Sequence, residues 1–312
     1  MQKTDKISGV FSTQEIQKVG TGTTTRKTIR KSFWFVVELD TQDADGNSQL
    51  EVQPLNTNYI PSGPKKIITK DQFLADFSPE PEFYVSTVFP RMRELTKTVA
   101  RGERHRKNGE YFSAEMEFNN ALKVDEENVR ANFGLGLTYL ERGEGDKAEN
   151  IFQRLVKLDA AFEPEHKHLF NEFGIQLRKN KMYKDAVTYY SRALELSAQD
   201  ENLYYNMARA LFENKEVVQA VGYLTQALEM NPALEEAAKF LMWLISKGLV
   251  PDDKKPEVVM ALKKVKEASL AQQQNPAGPA AEAQPDAAAQ APGATAEPAA
   301  AAPAGPAAAR NA

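Results

Sequence analysis

Apolar positions in "MYKDAVTYYSRALEL", residues 182–196, recur at helical spacing rather than in the alternation of a strand. Ala186, Tyr190 and Ala193 step by four and then three, so they share one stripe of a helix. The same stripe appears in "EYFSAEMEFNNALKV" (110–124), "EGDKAENIFQRLVKL" (144–158) and "EVVQAVGYLTQALEM" (216–230). It opens at Ala114, Ala148, Ala186 and Ala220, at separations of 34, 38 and 34 residues. Four residues on stand Phe118, Phe152, Tyr190 and Leu224, and three beyond those Ala121, Leu155, Ala193 and Ala227. Several positions recurring together in register predict a repeat array, with the small residues marking close helix contacts.

A second helical segment precedes each later stripe. It carries Leu135, Gly136 and Tyr139, then Phe173, Gly174 and Leu177, then Met207, Ala208 and Leu211. The small middle residue lets a neighbouring helix approach, while its large flanks fill the space beside it. Two helices per unit of about 34 residues with a fixed small–large seam resemble the tetratricopeptide repeat. The resemblance covers roughly residues 95–234. Departures are a terminal proline found only at Pro232, an insertion "EPEH" (163–166) in the second repeat, and Arg101 where a large apolar residue is usual. In the first repeat the helix has its stripe through Val88, Met92, Leu95 and Val99, and Ser86, Thr87 and Pro90 place its start near there.

The expected fold is mainly α: an α-solenoid of about four helix pairs with C-terminal capping helices, a small α+β module before it and a disordered tail after it. The divisions are a flexible basic leader (1–31), an α+β module (32–85), the array with its capping helix (86–250), a C-terminal helix (251–274) and an Ala/Pro-rich tail (275–312). In the module, "RKTIRKSFWFVVELD" (26–40) and "QLEVQPLN" (49–56) read as antiparallel strands, "KIIT" as a third, and "TKDQFLADF" as a helix with a capping box at Thr69 and Gln72. Its core candidates are Phe33, Phe35, Val37, Leu39, Leu50, Val52, Phe73 and Phe77. At the other end, Phe240–Ile245 is apolar all round and predicts burial on both sides. The face of Val258, Leu262 and Val265 is one candidate cover; a second copy of the chain meeting through 234–270 is the other. Beyond Gln274, alanine interrupted by seven prolines predicts disorder.

Composition narrows the function. Cysteine is absent, which excludes disulfides, thiolate metal sites and a cysteine nucleophile. The start has no signal-peptide core, and no apolar run reaches the roughly 20 residues of a membrane span, so a cytoplasmic protein without membrane insertion is expected. Residues 1–31 hold seven Lys or Arg against Asp5 and Glu15, yet net charge is −4 and Phe11 is the one aromatic there. That balance argues against nucleic acid as a partner. "VGTGTTTRKT" (19–28) has Arg26 where a phosphate loop needs glycine. Glu163, Glu165, His166 and His168 are chemically competent metal ligands at a non-standard spacing. No triad or acid–base pair emerges, so no catalytic residue, metal or cofactor is assigned.

The resemblance implies that the first helix of each repeat lines a concave groove holding a partner peptide or helix. Counting within each repeat gives Phe133, Leu137 and Leu140, then Asn171, Ile175 and Arg178, then Asn202, Tyr205, Arg209 and Phe212. Val99 and Glu103 stand where family members that grip a C-terminal carboxylate carry lysine and asparagine, so that clamp is missing. The expected function is a non-enzymatic protein-interaction scaffold. The alternative is a regulatory protein whose basic N-terminal module binds nucleic acid or a nucleotide, with the array as a coupling or oligomerisation unit.

Overall fold

A computed structural model describes residues 6–19, 26–42, 46, 48–197 and 199–274. The tail at 275–312, and the parts of the leader at 1–5 and 20–25, lie outside the described residues. The chain divides into two compact units between Ala220 and Val221.

The first unit opens with a five-stranded antiparallel sheet of order β4-β3-β2-β1-β5. The strands are β1 (Ser8–Val19), β2 (Arg26–Gln42), β3 (Ser48–Pro54), β4 (Lys66–Thr69) and β5 (Ser78–Pro79). β1 corrects the reading of 1–31 as a flexible leader: Ser8 to Val19 pair residue by residue with Val37 to Arg26. The sequence hid this strand because its apolar residues, Val10, Phe11, Ile16 and Val19, do not alternate with polar ones.

β2 is apolar on both faces, since successive residues point to opposite sides. One face gives Val36, which joins Leu50, Val52 and Phe73 in a buried cluster flanked by Phe11, Trp34 and Phe77. Phe73 belongs to α1 (Lys70–Asp76), whose capping box at Thr69 and Gln72 is present. The opposite face explains Phe33 and Phe35, which do not belong to that cluster. Their rings meet Phe83 and Tyr84, at centroid distances of 4.6 and 6.1 Å. Those partners come from α2 (Pro81–Phe83) and the π-helical turn Tyr84–Val88. The helical run therefore begins at Pro81, earlier than Ser86–Pro90, and continues into α3 (Phe89–Lys107).

Helix pairs follow in the first unit: α3 with α4 (Tyr111–Val124), α5 (Val129–Glu141) with α6 (Gly145–Leu155), and α7 (Lys167–Lys179) with α8 (Tyr183–Leu196), on which α9 (Glu201–Glu213) packs. α10 (Val217–Met230) begins just before the division between the units. All twelve stripe residues, from Ala114 to Ala227, are buried. The insertion forms the 3-10 turn Pro164–His166, which follows a first 3-10 turn at Asp159–Phe162. Phe162 swings inward from the first of these, to ring distances of 6.1 Å from Phe170 and 5.2 Å from Tyr189.

The N-terminal module is seated on the first repeat through its 55–65 loop. Asn56 folds the loop by accepting from the Asn58 and Ile60 amides. Its own side-chain amide, and that of Asn58, donate to the Val124 carbonyl at 3.0 and 2.9 Å. Val124 ends α4, where the last carbonyls have no partner within the helix. Ser62 completes the seat by donating to Asp125 at 2.7 Å. Tyr59, at the left-handed φ of 58°, lies between Phe83 at 5.1 Å and Arg91 at 5.0 Å.

In the second unit α11 (Glu235–Ser246) packs on α12 (Lys255–Gln274). Phe240, Leu241 and Leu244 are buried on one helix, Val258 and Ala261 on the other. Burial of 240–245 on both sides is not observed: Met242 and Ile245 remain 50% and 43% exposed. α12 covers one face only, since a single helix contacts a single side of its neighbour.

Candidate functional site

The first helices of the repeats were expected to present ten groove residues, and the structure separates them into three groups. Phe133, Leu137 and Leu140 are buried, which corrects their assignment to an open groove. α5 lies against α3, α4, α6 and α7, so every residue from Ala131 to Leu140 is enclosed. Phe133 spends its ring on Phe173, at 5.8 Å and edge-on. These three hold the array together.

Arg178 forms the second group. Its guanidinium pairs with the Glu213 carboxylate, and its side chain is only 11% exposed. The same contact occurs two repeats earlier, where Arg106 donates to Glu141 at 2.6 Å and to Glu172 at 3.1 Å. Both Arg–Glu pairs span 35 residues, linking the ends of successive first helices. Burial raises the Glu141 carboxyl above its ordinary range, against the pull of Arg106. Arg178 is thus a brace and not a partner contact. The signal existed in the sequence as an arginine and a glutamate repeated at one interval, but charge pairs are not visible to a search for apolar stripes.

The third group stays accessible. Asn202 is exposed, and Asn171, Ile175, Tyr205, Arg209 and Phe212 are half-buried. Asn171 and Ile175 lie four apart on α7; Asn202, Tyr205, Arg209 and Phe212 follow helical spacing on the adjacent α9. Arg209 stands over the Tyr205 ring at 5.7 Å, a cation–π arrangement that holds both side chains. The Asn171 side-chain oxygen is buried without a hydrogen-bond partner among the described residues. Such an acceptor favours any donor brought to it.

The other candidates resolve differently. Glu163 and Glu165 face Lys65 of the N-terminal module, whose ammonium lies 3.3 Å from Glu163, 3.9 Å from Glu165 and 3.7 Å from Glu51. An amine thus stands among the carboxylates. The neighbouring His166 imidazole is held below its usual pKa by burial and lies 3.3 Å from Glu165. Among the described residues no group of three or more side chains suits a metal ion. His105 pairs with Glu110, whose carboxyl it draws down in pKa. Val99 is buried and Glu103 is clasped by Arg130 at 2.8 Å, so neither is free for a carboxylate clamp. The glycine-rich stretch 19–28 runs between paired strands, and its residues 20–25 lie outside the described residues.

Comparison with known proteins agrees with the repeat geometry. Residues 99–162 and 177–243 each match a family model described as Tetratricopeptide repeat. Anaphase-promoting complex subunit 3 of Schizosaccharomyces pombe is 29% identical over 148 residues, which are 47% of this chain and 22% of that protein. The chain therefore matches about a fifth of that relative's length. Among solved structures, MamA 41-end from Desulfovibrio magneticus RS-1 has 17% identity and a TM-score of 0.40, covering 57% of this chain and 96% of its own. Pseudomonas aeruginosa pilF has 16% identity and a TM-score of 0.39, covering 55% and 75%. Among the described residues no helix is long and apolar enough to cross a membrane.

Proposed function

We propose that this tetratricopeptide-repeat protein is a non-enzymatic scaffold that holds a segment of a partner protein along the first helices of its third and fourth repeats. The observation that carries the reading is the half-buried Tyr205–Arg209 pair, flanked by Asn202 and facing solvent where the equivalent residues of the second repeat are enclosed. Large aromatic and cationic side chains left part-exposed in a groove are the usual anchors of peptide recognition.

The chemistry selects an amphipathic segment with an acidic flank. Tyr205 and Ile175 supply apolar contact, while Arg209 has no carboxylate partner among the described residues and is free to take one from the ligand. Asn202, exposed beside the pair, supplies hydrogen bonds to the partner's backbone. A place in a larger assembly is consistent with the likeness to a protein named as a complex subunit.

The test is affinity capture with the full chain, against the same chain carrying Tyr205→Ala. A partner held in this groove is lost from the variant, which stays folded and melts only slightly below the parent. If the captured protein stays bound to the variant, the groove is not its site.

A further inference from the structure

β1 and β2 are longer than the rest of the sheet they belong to. β3 pairs with β2 between Trp34 and Gln42, and β5 pairs with β1 at Phe11 and Ser12. Beyond these, residues 13–19 and 26–32 pair only with each other among the described residues. Each strand runs seven residues there, which makes a two-stranded ribbon about 24 Å long.

The root of the ribbon is fastened to the module. Trp34 Nε1 donates to the Thr13 hydroxyl at 2.9 Å. Lys31 pairs with Glu80, which also accepts from the Ser12 hydroxyl at 2.8 Å. Lys31 is thus engaged within the fold, and Arg30 has Glu15 opposite it in the register.

Toward the far end the charge is of one sign. Residues 16–29 contain Lys18, Arg26 and Lys27 and no aspartate or glutamate. Lys18 stands directly opposite Lys27, and Arg26 opposite Val19. Like charges directly opposite destabilise a strand pair, and a two-stranded ribbon is marginal by itself in water. The cations therefore work against the ribbon's own stability.

Both strands carry them, Lys18 on β1 and Arg26 with Lys27 on β2. An acidic strand added along one edge would meet the cations of one strand only. The major groove of duplex DNA is about 12 Å wide, admits a two-stranded ribbon and has phosphates on both walls. The major groove of an RNA duplex is too narrow for it. The sparse aromatics of residues 1–31 count against stacking on single strands, and a ribbon in a duplex groove needs no stacking. The net charge of −4 belongs to the whole chain, and charges more than about 8 Å apart are largely screened in physiological salt.

We infer that the β1–β2 ribbon enters the major groove of duplex DNA, with Lys18, Arg26 and Lys27 meeting phosphates on its two walls. Such contacts position a protein on the duplex without selecting a sequence. The site is independent of the groove on α7 and α9.

The probe is a fluorescein-labelled DNA duplex of about 20 base pairs, titrated against the full chain by anisotropy at about 0.1 M salt. Saturable binding is expected, weakened about twentyfold at about 0.3 M salt as counterion release from three phosphates requires. An RNA duplex of the same sequence should bind at least about tenfold more weakly. The triple variant Lys18→Gln, Arg26→Gln, Lys27→Gln should lose about tenfold or more, and Tyr205→Ala should change nothing. Absence of saturable binding overturns the inference. So does equal binding of the RNA duplex, of polyglutamate or of phosphatidylserine vesicles. Those comparisons use the unaltered chain, so they hold whether or not the triple variant folds. A folded triple variant that binds DNA like the parent overturns it too, and loss of binding in Tyr205→Ala would place the DNA in the other groove.

Discussion

Gly174 lies under Tyr190 so closely that a Cβ on the glycine would stand 2.5 Å from the tyrosine's Cζ and Oη. One residue comes from the first helix of the third repeat and the other from the second. Alanine and tyrosine alternate along that seam because each large ring needs a bare patch of backbone opposite. Gly174→Ala is expected to destabilise the array by about 1–3 kcal/mol, since Tyr190 is itself buried and has no room to retreat. Ala186→Leu, on the same stripe, should cost a similar amount, and Lys184→Leu, on an exposed position, very little. Thermal melting of the three variants decides it: equal melting of Gly174→Ala and Lys184→Leu would contradict the seam.

The Arg178–Glu213 brace gives an asymmetric expectation. Removing one partner strands the other in a poorly hydrated place, so Glu213→Ala should cost about 2–4 kcal/mol. Replacing both by apolar residues of similar size, Arg178→Met with Glu213→Leu, should recover most of that loss. Urea unfolding of the single and double variants measures the difference. If the double variant is as unstable as the single, packing and not stranded charge is the cause.

Asp185 gives a pH dependence. Burial and the nearby Glu149 push its carboxyl up to about 6, from 3.8. The folded chain therefore keeps a proton that the unfolded chain releases between about pH 4 and pH 6. More protons bound in the folded state means that stability falls as pH rises through this window, and the deficit is full above it. Solvent screening at a part-exposed site reduces the effect to about 1 kcal/mol. Asp185→Asn should raise the melting temperature at pH 7.5 and leave it nearly unchanged at pH 3.5. A gain at the lower pH and none at the higher would reverse the assigned sign.

Groove and core separate by a pair of measurements. Phe133→Ala, inside the array, should lower stability by about 3–5 kcal/mol, as Phe118→Ala should. Tyr205→Ala, half-exposed, should lower it by no more than about 1–2 kcal/mol, the scale of its partial burial. Should Tyr205→Ala unfold as easily as Phe133→Ala, the side chain is a core residue and the proposed groove loses its anchor.

The seam between paired helices was legible because it is written in volume: Ala186, Tyr190 and Ala193 recur at a period that chance does not produce. The groove was legible only in part. Counting positions identified which residues point away from the seam, but not which of those are enclosed by the next pair of helices. Phe133, Leu137 and Leu140 therefore read like Tyr205, although α5 has neighbours on all sides. Longer-range pairings were hidden for another reason. β1 finds its partner through backbone hydrogen bonds that any side chain allows, and Asn56 and Asn58 look like turn residues until the helix end they serve is in view. The single Lys65 among glutamates was likewise invisible as a contact, being about a hundred residues away in sequence from Glu163.

The seating of Asn56 and Asn58 on the Val124 carbonyl has a consequence for how the chain folds. Repeat arrays with contacts only between neighbours are able to begin folding at any unit and spread outward. Here the last turn of α4 is completed by residues more than sixty positions earlier, so closing that loop carries an entropic cost that purely neighbouring repeats avoid. The first repeat is therefore the poorest place to start. Order is expected to spread from the third repeat toward the N-terminus, with the sheet docking last, and the first helix pair to exchange its amide hydrogens soonest whenever that dock opens.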